Sequence, residues 1–186
     1  MAVGILAIQG NVAEHRSVLQ MLGIDSREVR SIKDLNTVDR LIIPGGESTV
    51  ISKFLKTSGL DREIKRRAEE GFPIFGTCAG AILLSKTITG GIGPEPLGLI
   101  DSDTDRNAYG SQLWSFETEL AVKGIGKPVR ASFIRAPIIT RVGNDVEVLA
   151  EEKGKAVIVR QKKILAATCH PEMRGEAGLH EMFLSF

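Results

Sequence analysis

The sequence predicts one α/β domain over residues 1–186, built in three layers: a mostly parallel sheet, helices on both of its faces, and added antiparallel strands at one edge. Two observations predict this fold class. In the first half, short apolar runs of strand length alternate with segments of helical periodicity, and in the second half short strand patterns follow one another directly. Alternating strands and helices are typical of a parallel sheet covered by helices, and such sheets tolerate antiparallel edge strands. A length of 186 residues fits one domain.

The first half supplies the predicted parallel strands and their helices. Its strand candidates are three apolar runs: Val3–Ile8, Arg40–Pro44 and Phe72–Gly76. Its helix candidates are residues 11–22, the stretch around residues 50–55, residues 60–70 and residues 79–84. Within the first helix, Val18, Leu19 and Leu22 recur at helical spacing, which predicts one buried face.

The second half predicts short strands joined by turns. The strand candidates are Phe116–Val122, Ala131–Ile134, Ile138–Val142, Glu147–Glu151, Ala156–Arg160 and Lys163–Thr168. Turn-forming residues at 143–144 and 152–154 separate several of these runs. We expect the strands to extend one edge of the sheet, and a last helix over residues 176–184 to close the chain.

Composition argues against several classes of protein. Lys and Arg total 24 against 23 Asp and Glu, and a formal charge of +1 does not indicate a nucleic-acid-binding protein. The longest apolar run, Met1–Ile8, is shorter than the roughly 18–20 residues that cross a bilayer and lacks a basic leader, so we interpret it as a first strand rather than a signal peptide. Two cysteines cannot form a disulfide framework. We therefore expect a reduced, cytoplasmic protein that binds neither nucleic acid nor membrane.

Cys78 lies where an apolar strand is predicted to turn into an apolar helix. In the segment Phe75-Gly-Thr-Cys-Ala-Gly80, a glycine stands two positions from the cysteine on each side, which is typical of a nucleophile elbow with Cys in place of Ser. Such a turn lifts the sulfur into a crevice at the carboxyl end of the sheet, and the helix N-terminus favours the thiolate. The backbone N–H of Ala79 would point toward an oxyanion. A buried structural cysteine is the alternative, and the glycine context favours the nucleophile.

Of the three histidines, His170 is the best candidate for the base that a thiol nucleophile needs. It follows an apolar strand candidate and precedes Pro171 and Glu172. Proline favours an extended residue before it, so His170 and Glu172 can share one face and the carboxylate can orient the imidazole. For this tripeptide taken alone, a loop with a solvated acid is the alternative. For His15 and His180, in the first and last predicted helices, we expect surface or capping roles.

The segment Ile43-Pro-Gly-Gly-Glu-Ser-Thr49 ends a predicted strand and begins a predicted helix. Ser48 or Thr49 can cap that helix, and the two glycines permit a close approach to a ligand or a flipped peptide. One N–H of this turn can supply a second oxyanion donor. A phosphate-binding loop is a rival interpretation, but the Gly-Lys-Ser/Thr ending is missing. An ordinary turn with a helix cap is the plain alternative.

These three motifs, in this order and spacing, resemble those of the class I, triad-type glutamine amidotransferases. Further segments narrow the resemblance to the glutaminase subunits of pyridoxal 5′-phosphate synthases: Gln9-Gly-Asn-Val-Ala-Glu-His15, Arg106-Asn-Ala-Tyr-Gly-Ser-Gln112, Ser115-Phe-Glu117 and Phe133-Ile-Arg-Ala-Pro137. The resemblance covers nearly the whole chain. One departure is Ser111, where the family usually has arginine, and this puts a surface or partner contact in doubt but not the triad.

The resemblance implies hydrolysis of L-glutamine to L-glutamate and ammonia. Cys78 would attack the side-chain amide and form a glutamyl thioester, His170 would transfer protons, and Glu172 would hold His170. The amides of Gly46 and Ala79 would form the oxyanion hole. The residues implied to bind glutamine are Gly46, Glu47, Ser48, Arg106, Ile134 and Arg135. For the two arginines taken alone, a solvated charge is the alternative.

The resemblance also implies a partner, a (β/α)8-barrel synthase subunit that receives the ammonia and builds pyridoxal 5′-phosphate. Free subunits of this kind tend to be inactive until docked, and a flipped Gly45–Gly46 peptide, set by Gln9 in the complex, would explain that. Because the partner makes the pyridoxal phosphate, we expect no cofactor in this chain. We also expect no metal, since no His/Cys/Asp set has metal-ligand spacing.

Two other functions stay open at this stage. One is the glutaminase subunit of a different ammonia-channelling synthase, such as that of histidine biosynthesis, although the segments 10–15 and 133–137 argue against it. The other is a non-catalytic binding subunit of the same fold. The presence of all three catalytic candidates, Cys78, His170 and Glu172, argues against it. The sequence leaves open the stoichiometry of the complex and the role of residues 89–96, for which a solvent loop is the default.

Overall fold

The structure is a computed structural model that describes residues 1–91, 93–107 and 115–186. The strands are β1 (Val3–Leu6), β2 (Ser26–Val29), β3 (Arg40–Ile43), β4 (Ile74–Thr77), β5 (Ser85–Thr89), β6 (Ile100–Asp105), β7 (Ser115–Leu120), β8 (Val129–Ile134), β9 (Ile138–Val142), β10 (Glu147–Glu152), β11 (Lys155–Gln161) and β12 (Ile164–Ala167). The helices are α1 (Val12–Met21), α2 (Ile32–Leu35), α3 (Ser48–Ser58), α4 (Leu60–Glu69), α5 (Ala79–Leu84) and α6 (Gly178–Leu184), with a 3₁₀ turn at Glu172–Arg174. No helix within these three ranges is long and apolar enough to span a bilayer.

Seven strands form the central sheet, in the order β10-β11-β12-β4-β3-β1-β2. The five strands from β12 to β2 run parallel, whereas β11 and β10 are antiparallel and form one edge. Strands β1, β3, β4 and β12 are buried at every residue. Parallel strands covered on both faces are expected to be apolar throughout, which explains their continuous apolar runs. The predicted fold class is confirmed.

The sheet separates two apolar cores, because alternate residues of each strand point to opposite faces. On one face, Leu6 and Leu41 pack with residues of α3, α4 and α5. On the other face, Ile5 and Ile42 pack with residues of α1, α6 and the β7–β8 hairpin. The molecule therefore has three layers, with the first and last long helices on the same side of the sheet.

Several strands have sequences that a search for apolar runs does not find. β2 is an edge strand in which only Val29 is fully buried. β6 alternates, and two of its three inward residues are the small polar Ser102 and Thr104. The prediction that the later strands all extend one edge is wrong in part. β5, β6 and β9 form a separate three-stranded sheet, β7 and β8 form a hairpin, and β12 lies inside the central sheet beside β4.

Two glycines allow the turn between β4 and α5 to pack closely. A Cβ atom on Gly80 would lie 2.0 Å from the carbonyl oxygen of Ile43 in β3, and one on Gly76 would lie 2.7 Å from the carbonyl carbon of Gly80. Neither glycine has a positive φ, so lack of space, not backbone conformation, requires them. At Gly76, Leu84 Cδ1 is also close, at 2.6 Å, whereas the nearest obstacle at Gly80 is a backbone atom, which cannot move aside as the end of a flexible side chain could.

Replacing Gly80 with Ala should therefore reduce the free energy of unfolding by about 1–3 kcal/mol, the usual cost of overpacking. Urea denaturation measures this change. Gly126→Ala is the matched control, because no atom of residues 1–91, 93–107 or 115–186 lies within 4 Å of the Cβ position at Gly126, and its effect should stay within about 0.5 kcal/mol. Equal losses in both variants would contradict the packing argument.

Candidate active site

Cys78 lies directly between β4 and α5 in a backbone conformation that few residues other than glycine adopt. Its φ is 46° and its ψ is −101°. The Cys78 N–H donates to the carbonyl of Ala167 in β12 at 2.8 Å, which anchors the turn. Strain of this kind costs about 1–3 kcal/mol and persists where the surrounding structure enforces it, commonly at functional sites. Cys78 as a whole is half-buried.

His170 follows β12 and is held against β8. Its N–H donates to the carbonyl of Ser132 at 2.8 Å, and its carbonyl accepts from the Ser132 N–H at 3.4 Å. Its side chain interacts electrostatically with that of Cys78, and its Nδ1 lies 2.8 Å from Oε1 of the buried Glu172. The structure therefore brings the three predicted catalytic residues together in one chain, from thiol to imidazole to carboxylate.

The charge of His170 results from opposing effects. Burial is the largest and would lower its pKa, but hydrogen bonds and charge interactions with Cys78 and Glu172 together outweigh it and raise the pKa from 6.5 to about 10. An imidazolium is therefore favoured at neutral pH. In contrast, burial raises the pKa of the Cys169 thiol far above its usual range, so the second cysteine stays neutral and unreactive.

The glycine turn after β3 packs between His170 and the start of α1. A Cβ atom on Gly45 would lie 2.3 Å from His170 Cε1, so the ring leaves room only for glycine. The Gly45 N–H donates to Thr77 Oγ1 at 3.1 Å, and the Gly45 carbonyl accepts from the N–H of Asn11 at 3.1 Å. Gly46 has a φ of 157°, in the region that favours glycine. Contacts from three separate elements thus hold this turn beside the imidazole.

A cavity of about 280 Å³ opens beside Cys78. Its lining includes all six residues predicted to bind glutamine: Gly46, Glu47, Ser48, Arg106, Ile134 and Arg135. Ala79, the other predicted oxyanion donor, follows Cys78 at the start of α5 but is not among the lining residues. The sequence analysis missed three further lining residues, Ile82, Asn107 and Ala136. Their positions could have indicated them, since Ile82 lies about one helical turn after Cys78 and the other two directly follow predicted arginines.

Opposite charges face each other in this cavity. Arg106 Nη2 lies 3.8 Å from Glu47 Oε1. The hydrogen bond from the Thr49 hydroxyl, with smaller effects from the charges of Arg106 and Arg135, lowers the pKa of Glu47. Glu47 also caps α3 by accepting the Thr49 N–H at 3.3 Å, which corrects the expectation that Ser48 or Thr49 is the cap. One anion near two cations suits a ligand that carries both an ammonium and a carboxylate.

The expectation of surface or capping roles for the other two histidines is wrong. His15 and His180 are both fully buried, and His15 Nδ1 lies 2.9 Å from His180 Nε2. Phe75 contacts both rings edge-on. A signal for His15 was present, because it lies three residues before Val18 and four before Leu19, on the apolar face of α1. No comparable signal exists for its meeting with His180, which depends on the tertiary fold.

Comparison with known proteins assigns the chain to a family. Residues 5–185 match the model of the SNO glutamine amidotransferase family. The chain belongs to this family. A relative from Herpetosiphon aurantiacus, named pyridoxal 5'-phosphate synthase subunit PdxT, is 51% identical over 188 residues, which cover 99% of each chain. A relative of the same name from Thermus thermophilus is 48% identical over 183 residues, covering 98% of this chain and 95% of the relative.

A solved structure extends this similarity to three dimensions. The crystal structure of a glutamine amidotransferase, 45% identical in sequence, superposes with a TM-score of 0.93 and covers 98% of this chain and 97% of its own. The predicted resemblance to the glutamine amidotransferases is therefore confirmed. The residues of the Cys78–His170–Glu172 chain all lie within the part that matches the family model.

Other predictions for this SNO-family amidotransferase concern the surroundings of the site. Within the described ranges, no group of three or more His, Cys, Asp or Glu side chains could hold a metal ion, and the expected absence of a cofactor stays a prediction. Ser111 lies outside the described residues. In the segment 89–96, Glu95 is tied to α3, because its carbonyl accepts from the Ser52 hydroxyl at 3.0 Å and its carboxylate pairs with Lys56.

Replacing Glu172 with Gln should lower the pKa of His170, because the amide keeps the shape of the carboxylate but removes the charge that favours imidazolium. In the unaltered protein, the folded pKa of about 10 exceeds the ordinary 6.5. The contribution of His170 to stability is therefore fully present below pH 6.5 and is lost as the pH rises through about 10. In the variant, this loss should occur at lower pH.

An NMR titration of the His170 Cε1 proton measures the shift directly. Glu28→Gln is the control, because Glu28 is a partly exposed glutamate that pairs with Arg16 and Arg30 on the protein surface. This variant should leave the titration of His170 unchanged. The same titration curve for Glu172→Gln as for the unaltered protein would show that the carboxylate does not control the charge of the imidazole.

Proposed function

We propose that this amidotransferase hydrolyses L-glutamine to L-glutamate and ammonia and delivers the ammonia to a synthase subunit that makes pyridoxal 5′-phosphate. The observation that carries the proposal is the grouping of Cys78, His170 and Glu172, in which the imidazole is bonded to the carboxylate and Cys78 lines a cavity of suitable charge. Family membership supports amide chemistry. The relatives from Herpetosiphon and Thermus, about half identical over nearly full length, support the choice of synthase through their shared name.

In the first half-reaction, the sulfur of Cys78 attacks the side-chain amide carbon of glutamine. The backbone N–H groups of Gly46 and Ala79 donate to the amide oxygen as it gains negative charge. His170, as the imidazolium, gives its proton to the amide nitrogen, the C–N bond breaks, and ammonia leaves. A γ-glutamyl thioester remains on Cys78, and the imidazole is now neutral.

In the second half-reaction, the neutral His170 removes a proton from water, and the water oxygen attacks the thioester carbon. The C–S bond breaks, its electron pair returns to the sulfur, and the new γ-carboxyl group loses its remaining proton to solvent as glutamate leaves. Cys78 and His170 thereby return to the state they had before the cycle. Glu172 orients the imidazole and stabilises its charged form throughout. One water is consumed, and one ammonia and one glutamate are released.

Glutamine binding is assigned to the charged and backbone groups of the cavity. The Glu47 carboxylate suits the α-ammonium group, while Arg106 and Arg135 suit the α-carboxylate. Gly46, Ser48 and Ile134 also line the cavity. With its α-substituents held by these groups, the substrate extends its amide end toward Cys78.

The proposed acceptor of ammonia is a (β/α)8-barrel synthase subunit, and this subunit, not the present chain, would make the pyridoxal 5′-phosphate. Accordingly, we expect this chain to hold no cofactor of its own. We expect it to bind neither nucleic acid nor membrane. The two cysteines, Cys78 and Cys169, are both free, which fits the reducing cytoplasm where we propose the complex works.

Ammonia release from glutamine, measured for the chain alone and for the chain mixed with a synthase subunit, tests the function. We expect release to be low alone and to rise on addition of the barrel subunit of a pyridoxal 5′-phosphate synthase. The matched control adds the synthase subunit of histidine biosynthesis, which should cause no rise. A rise only with the histidine-type subunit would favour that rival function, and no release under any condition would favour a non-catalytic subunit.

Cys78→Ala should abolish ammonia release, because removal of a catalytic nucleophile costs up to about 10⁶-fold in turnover. Cys169→Ala is the control, since Cys169 is buried outside the cavity lining, and it should retain most of the activity. Both variants should still bind the synthase subunit, as measured by analytical ultracentrifugation. Undiminished release by the Cys78 variant would disprove the thioester mechanism.

A further inference from the structure

Three buried polar side chains lie behind the triad and have no part in the mechanism above. Thr77 ends β4, His15 lies in α1 and His180 lies in α6, and each is 0% exposed. Burial of a polar group is unfavourable unless the group is hydrogen-bonded. The hydrogen bonds that these three side chains make therefore indicate what the cluster does.

The hydroxyl of Thr77 is the point where the triad and the glycine turn meet. Its Oγ1 accepts the Gly45 N–H at 3.1 Å, and it lies 3.0 Å from His15 Nε2 and 3.5 Å from Glu172 Oε1. The other carboxylate oxygen, Glu172 Oε2, is buried with no hydrogen-bond partner among the described residues. Oε1 thus carries the contacts of the carboxylate: His170 at 2.8 Å, Thr77 at 3.5 Å and His15 at 3.7 Å.

Both buried imidazoles are neutral. Burial, with a smaller effect from the charges of His180 and His170, lowers the pKa of His15. Burial also lowers the pKa of His180 to about 4, against a smaller opposing effect of the Glu176 backbone. Each ring therefore carries a single proton at pH 7, on one nitrogen or the other. The choice of nitrogen sets the direction of every hydrogen bond in the cluster.

The direction of the chain follows from Glu172, because a carboxylate accepts hydrogen bonds and does not donate them. The Thr77 hydroxyl donates to Glu172 Oε1, so its oxygen accepts from His15 Nε2, 3.0 Å away. His15 therefore carries its proton on Nε2, and its Nδ1 accepts from His180 Nε2 at 2.9 Å.

We propose that His180, His15 and Thr77 form a directed hydrogen-bond chain that ends on Glu172, and that Thr77, which also accepts the Gly45 N–H, keeps the triad carboxylate aligned with the glycine turn. All donors in this chain point toward the negative charge, which the chain stabilises without adding a second cation beside His170. The three residues are positioning residues, since none of them is among the residues lining the cavity. Their effect on turnover rests on the glutaminase activity proposed above.

Thr77→Val tests the expected effect of Thr77 on turnover, because valine keeps the shape of threonine but removes the donor to Glu172 and the acceptor of the Gly45 N–H. With the synthase subunit present, kcat should fall about 10–100-fold, as is usual when a supporting hydrogen bond is lost, while KM changes less than about threefold. Thr77→Ser restores the hydroxyl and should restore kcat. Thr104→Val is the matched control, since Thr104 is a buried threonine of β6 whose hydroxyl bonds Ser85 at 3.0 Å. It should leave kcat nearly unchanged.

Unchanged kcat in Thr77→Val, an equal fall in Thr104→Val, or failure of serine to restore activity would overturn the positioning role. The direction of the chain is tested without catalysis, by ¹⁵N chemical shifts of the histidine rings in the unaltered full-length protein. We expect His15 and His180 to be protonated at Nε2, and protonation of His15 at Nδ1 would overturn the proposal. If the unaltered protein released no ammonia, the proposed function would fail, while the ring shifts would still decide whether the chain exists.

Discussion

The site depends on the adjacency of three parallel strands, β12, β4 and β3, at the centre of the sheet. Neighbouring parallel strands end at the same edge, so the segments that follow them must meet there. His170 follows β12, Cys78 follows β4, and the Gly45–Gly46 turn follows β3. Residues as far apart in sequence as Thr77 and Glu172 therefore come within 3.5 Å of each other. The order of the strands brings these residues together, and the glycines leave the space that their close packing requires.

The buried histidines of this protein differ in charge because their neighbours differ. Burial alone would make every imidazole neutral. His170 departs from this rule because it interacts with Cys78 and Glu172, and their combined effect exceeds that of burial. His15 and His180 have mainly each other and Thr77 as polar partners in the interior, and they follow the rule. As a result, positive charge is favoured on the one imidazole that interacts with Cys78.

The features that could be predicted from the sequence are those that depend on residues close together in the chain. The strand-to-helix elbow at Cys78 could be predicted because glycines at fixed spacing reflect a steric need of the turn itself. β6 was missed because its inward positions include small polar residues, so that an apolar pattern never forms. The burial of His180 could not be predicted, since it depends on α1 and α6 covering the same face of the sheet. Six cavity residues were found through resemblance to a family, and their charges alone would not have singled them out.

The backbone of Cys78 has a consequence for how this position can change over evolutionary time. A glycine would adopt a φ of 46° with little strain, whereas a cysteine is held there against its own preference. Folding thus gains nothing from the sulfur, and a chain selected only for a durable shape would be expected to lose it. The stability of the fold therefore does not explain why a cysteine, rather than a glycine, stands at the junction of β4 and α5.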